Sequence, residues 1–71
     1  MQYFFHITDG SRFYTDDTGR TCASRVAAGT CAAQIARELA ADGDTYARFV
    51  VSVADERGNE LARIPIGRRY E

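Results

Sequence analysis

Few residues in this chain have chemical reach. His6 is the only histidine, Cys22 and Cys31 are the only cysteines, and Asp16-Asp17-Thr18-Gly19 forms a compact acidic stretch. An imidazole serves as general acid or base only beside a nucleophile or carboxylate held within hydrogen-bond reach. No spacing around His6 announces such a set. His6 therefore reads as a hydrogen-bonding or contact residue, with a pH-sensitive contact as the sharper version. A structural zinc takes about four Cys or His ligands. The cysteines are not a CxxC pair and one histidine adds no second ligand pair, so no metal is expected. The acidic stretch offers too few oxygens for calcium. Gly-rich phosphate loops and nucleophile elbows are absent, so the expectation is a protein without catalysis or cofactor.

Size and composition narrow the classes further. With 71 residues, the sequence reads as a single domain, 1–71. A chain of this length buries only about 60% of its unfolded surface, so disulfides, a metal or a partner usually add stability. No targeting leader and no apolar run near the ~20 residues of a membrane helix is visible. Reduced thiols in a cytoplasmic protein, with no membrane association, are the expectation. That leaves oligomerisation as the source of added stability. Net charge is −1, and all nine basic residues are arginine. An all-arginine set reads as the codon usage of a GC-rich genome, with selection for phosphate or carboxylate forks as the sharper alternative, and Arg68-Arg69 reads as a solvated tail rather than a binding motif.

The elements that must position these residues follow in order. Residues 2–8 are aromatic and β-branched and read as a strand. Asp9-Gly10-Ser11 reads as a turn, residues 12–15 as a short second strand, and Asp16 to Gly19 as another turn. Ser24 is a helix N-cap in type, and the helix is expected to reach about Ala41, where Asp42-Gly43-Asp44 stops it. Its apolar face is Ala28, Cys31, Ala32, Ile35 and Leu39, with Cys31 a small buried hydrophobe. Residues 45–54 read as a third strand with Phe49, Val51 and Val53 on one face. Residues 61–66 read as a fourth, which Pro65 marks as an edge because proline cannot donate to a ladder. Path rules then give a two-layer α+β domain: a four-stranded antiparallel sheet in the order 2-1-3-4, with one helix on one face, ββαββ.

These pieces together resemble a family of small bacterial proteins grouped as a domain of unknown function. The resemblance is carried by Tyr3-Phe4-Phe5-His6, Asp9-Gly10, Asp16 to Gly19, the alanine-rich helix and Asp55-Glu56-Arg57-Gly58. It covers nearly the whole chain and implies the fold, not an activity. Gly29 within the helix and Cys22 in place of a larger aliphatic residue depart from the pattern.

Function then turns on the sheet face away from the helix. With Tyr3, Phe5 and Ile7 inward, Phe4 and His6 point outward, beside Arg48 and Val50, with Arg12 or Tyr14 across the turn. Either register of the last hairpin leaves apolar side chains outside, so both faces of the sheet read as apolar. Such a face usually marks an interface. The expectation is a homodimer or other protein contact built on Phe4, His6, Val50, Arg48 and Tyr14. The alternative is a nucleic-acid-binding module that stacks bases on Phe4 and His6 beside arginines.

Overall fold

The computed structural model describes residues 1–67 except Asp42 and Asp44. The Arg68-Arg69 tail and the two aspartates flanking Gly43 lie outside the described residues. The elements are β1 (Gln2–Thr8), β2 (Phe13–Tyr14), β3 (Arg20–Thr21), α1 (Arg25–Ala40), β4 (Val50–Ala54) and β5 (Glu60–Pro65). All pairings are antiparallel, in the order β2-β1-β4-β5. This is the expected α+β architecture, with the two central strands adjacent and the proline-bearing strand at an edge.

One strand is additional. β3 pairs with the start of β1, Gln2 opposite Thr21 and Tyr3 opposite Arg20, while β2 pairs with its end. Two short segments thus share one edge of β1, separated by the acidic turn. The expected third strand also starts later. Residues 45–48 form a turn, closed by the Phe49 N–H donating to the Tyr46 carbonyl, so the strand begins at Val50. Gly67 fixes the tightness of that turn. A Cβ there would lie 1.9 Å from the Ala47 carbonyl oxygen, so the chain leaving β5 crosses the turn where only glycine fits.

Helix α1 starts where its cap requires. The Ser24 hydroxyl accepts from the Ala27 N–H at 3.1 Å, satisfying one of the free donors of the first turn. Gly43, at φ +96°, turns the chain away after the last turn, its N–H donating to the Ala40 carbonyl. The fully buried stripe is Ala28, Ala32 and Ala36; Cys31, Ile35 and Leu39 are half-buried beside it. Small side chains bring the helix axis close to the sheet, and the larger residues fill the margins. The sheet supplies most of the bulk through Tyr3, Phe5, Phe49, Val51, Val53 and Ile66.

The last hairpin resolves the open register. Val51 faces Ile64 and Val53 faces Ala62, so Ile64 and Ile66 go inward and Arg63 and Pro65 outward. A bulge between Val53 and Ala54 leaves Leu61 as the extra residue, half-buried against the core.

Since Ala32 is completely buried at the helix–sheet contact, Ala32→Leu should force the layers apart. It is expected to cost about 1–3 kcal/mol, and each 1 kcal/mol lowers Tm by roughly 4–8 °C in a domain of this size. Thermal melting followed by circular dichroism checks this, and an unchanged Tm would contradict the close packing.

Candidate interaction face

The face away from α1 is set by the turn between β1 and β2. Its loop holds four residues, Asp9 to Arg12, not three. The Asp9 carboxylate accepts from the Ser11 and Arg12 N–H groups at 2.8 and 2.7 Å. The Thr8 hydroxyl accepts from the Gly10 N–H and donates to the Arg12 carbonyl at 2.6 Å. The extra residue reverses the sides of β2, because side chains alternate with a period of two. Phe13, opposite Thr8, joins the outer face, and Tyr14, opposite Ile7, turns to the helix side. Tyr14 packs its ring 6.1 Å from that of Phe49. The expected Tyr14 contact with His6 on the outer face is therefore corrected: Phe13 takes that place, with ring centroids 5.2 Å apart.

Three transverse rows cross this face. The first runs Phe13, Thr8, Val50, Pro65; the second His6, Ser52, Arg63; the third Phe4, Ala54, Glu60. The first row is apolar apart from the buried Thr8 hydroxyl, and Phe13 is 59% exposed. The second and third are linked by polar contacts. The Glu60 carboxylate accepts from the Ser52 hydroxyl and from Arg63 Nε, each at 2.7 Å. Those two bonds hold the Glu60 carboxyl below its ordinary value, the Ser52 bond contributing most. The expectation of an apolar outer face is thus narrowed to an apolar band beside a polar strip. Arg48 does not stand next to Val50 on a strand; it is exposed in the turn before β4.

Phe4 and His6 are both on this face, and both are half-buried by their own chain. Their rings stack 6.5 Å apart, 9° from parallel. The acidic turn covers them. Gly19, at φ +75°, presses against the Phe4 ring so closely that a Cβ would lie 2.7 Å from Phe4 Cε2. The Asp16 N–H donates to His6 Nδ1 at 3.0 Å, which leaves the ring proton on Nε2. The Asp16 carboxylate meanwhile accepts from the Phe5, Thr18 and Gly19 N–H groups, each at 3.1 Å. The Phe5 bond occupies the stretch of β1 left open between β2 and β3. Burial works to raise the Asp16 carboxyl, but the N–H groups of Gly19, Phe5 and Thr18 outweigh it and hold it below the usual aspartate value of 3.8.

Sequence reasoning missed Phe13 and Asp16. Phe13 was hidden by the one-residue difference in loop length, which goes with the Asp9 and Thr8 side-chain bonds and the Asp9 N–H donating to the Arg12 carbonyl. Asp16 carried a signal: an Asp three residues before a glycine suits a turn whose carboxylate caps the following N–H groups. Its reach across to β1 has no local signature. Among the described residues, no group of three His, Cys, Asp or Glu side chains is placed to hold a metal ion. No described helix is long and apolar enough to cross a membrane.

Asp16→Asn tests the role of the carboxylate. The folded-state pKa lies below the unfolded value, so this stabilisation is present above about pH 4 and is lost as pH falls through the folded pKa. At neutral pH the variant should be about 1–3 kcal/mol less stable. The difference should close in acid; Asp9, Asp55 and Glu60, also lowered, act equally in both proteins. Urea melts across pH read this out, and a gap independent of pH would count against it.

No curated protein and no solved structure matches this chain. A family model does, along residues 2–67, which takes in every strand, the helix, the acidic turn and the outer face. The chain belongs to the family described as a domain of unknown function, DUF6894.

Proposed function

We propose that this domain is a non-catalytic cytoplasmic interaction module that forms a homodimer through the sheet face opposite α1. The observation that carries the reading is the apolar band Phe13, Thr8, Val50, Pro65, with Phe13 59% exposed and no helix over it. Phe4 and His6 contribute as the supports of Phe13 rather than as the contact itself, since the acidic turn already covers Phe4.

A second copy suits this face for two reasons. A two-fold contact needs only one self-complementary patch, and the strip beside the band carries both charges, Glu60 and Arg63. Opposed strips can exchange partners without leaving a charge unpaired. The core also leaves room for added stability, because its helix contributes only alanines to the fully buried layer. Base stacking is less well supported. The arginine of the strip beside the band, Arg63, already has the Glu60 carboxylate beside it, and phosphate binding draws on free cations.

Sedimentation across a wide concentration range tests this proposal. The parent protein should show a concentration-dependent dimer. Phe13→Glu should be monomeric with an unchanged circular dichroism spectrum, because Phe13 lies outside the core. A parent that stays monomeric at high micromolar concentration overturns the dimer, and binding of a single-stranded oligonucleotide at the same face would then favour the stacking reading.

A further inference from the structure

Asp16 reaches β1 through two groups at once. Its N–H donates to His6 Nδ1 at 3.0 Å, and its carboxylate Oδ2 accepts from the N–H of the adjacent Phe5 at 3.1 Å. The other carboxylate oxygen, Oδ1, holds the turn itself through the Thr18 and Gly19 N–H groups. Among the described residues Arg63–Glu60 is the only ion pair, and the His6 ring forms none with the Asp16 carboxylate. This set of bonds requires a neutral ring, because Nδ1 must be an acceptor. His6 is half-buried, so protons reach it, and imidazole is the side chain that changes charge between about pH 5 and 8.

We propose that protonation of His6 switches the Asp16 carboxylate from the Phe5 N–H to the ring, opening the edge of β1 that it closes at neutral pH. Both ring nitrogens of an imidazolium are donors. A proton on Nδ1 points at the Asp16 N–H, and two donors cannot share that line. The acceptor at hand is the carboxylate of the same residue, and a charge-assisted bond to it is stronger than the neutral bond it replaces. Seating both the ring and the Phe5 N–H on Oδ2 would keep the Asp16 N–H pressed against the Nδ1 proton, so the turn shifts and the Phe5 bond goes. The Phe5 N–H is then without a partner, in the stretch of β1 between β2 and β3 that no strand covers.

The surrounding charges leave this exchange to Asp16. Across β4, His6 faces Ser52, whose hydroxyl is committed to Glu60, and on β5 Arg63 pairs with that same carboxylate. On β2 the neighbour is the Phe13 ring, and Arg12 before it is exposed. Along β1 the neighbour is Phe4, and Arg20 of β3 stands further off, opposite Tyr3. In the turn, Asp17 is exposed beside Asp16. Against the burial that would raise it, the Asp16 carboxyl is held below 3.8 by the Gly19, Phe5 and Thr18 N–H groups and, least, by the His6 charge. It is therefore ionised wherever the ring takes up its proton. The change stays local, because β4 pairs with β1 along Phe4 to Thr8 on the other side.

Amide hydrogen exchange of the whole chain at about pH 8 and about pH 5, on either side of imidazole titration, tests this. Each rate is divided by the intrinsic rate at its pH. The Phe5 amide should lose about tenfold of its protection in acid while the amides of β4 keep theirs. The Phe5 and Asp16 amide resonances should also move with the same midpoint as the His6 ring. His6→Gln keeps a side chain that can accept from the Asp16 N–H and does not titrate, so its Phe5 protection should be equal at both pH values. Should that variant not fold, the parent titration decides alone. Equal Phe5 protection in the parent at both pH values, a Phe5 midpoint unlike that of the ring, a pH-dependent loss that persists in His6→Gln, or loss of protection throughout the sheet would each overturn the proposal.

Discussion

The open middle of one strand edge governs this fold. β1 is central, and an unpaired N–H in a central strand costs free energy if it is buried without a partner. β4 pairs with one side of β1 along Phe4 to Thr8. On the other side β3 covers Gln2 and Tyr3, β2 covers Ile7 and Thr8, and no backbone reaches the gap. The Asp16 carboxylate fills it, taking the Phe5 N–H at 3.1 Å while holding its own turn together through Thr18 and Gly19. One side chain thereby closes a sheet edge, shapes a turn and seats that turn on the Phe4 and His6 rings. Closing the gap this way also blunts an edge that could otherwise pair with another chain.

That arrangement answers why the first strand is apolar on both faces. Tyr3 and Phe5 go to the helix-side core. Phe4 and His6 go to the other side, where Gly19 and the Asp16 N–H meet them. The apolar surface left over is then displaced toward the end of β1, to Phe13, Val50 and Pro65. That band is smaller than the entire sheet face, and it is bordered by the Ser52, Glu60 and Arg63 contacts.

Much of the architecture was legible in the sequence because each element carried its own local signal. Aromatic and β-branched residues marked β1, alternating apolar residues marked β4, Ser24 marked the start of α1, and Pro65 marked the edge. What was not legible depended on side-chain-to-backbone bonds with partners distant in sequence or balanced by a single residue of loop length. The Asp9 and Thr8 bonds lengthen the first turn by one residue and so exchange Phe13 for Tyr14 on the outer face. Arg48 was misplaced because the Tyr46–Phe49 turn interrupts an otherwise strand-like run. β3 escaped notice because its two residues gain their pairing only from β1, already fixed by the rest of the sheet.

The Asp16 closure can be read at a single atom. Amide hydrogen exchange at Phe5, measured at neutral pH in the native protein, reports whether that N–H is held. If the carboxylate closes the edge, the Phe5 amide exchanges as slowly as the amides of β4 in the middle of the sheet. Exchange at the rate of an unpaired amide would contradict the account.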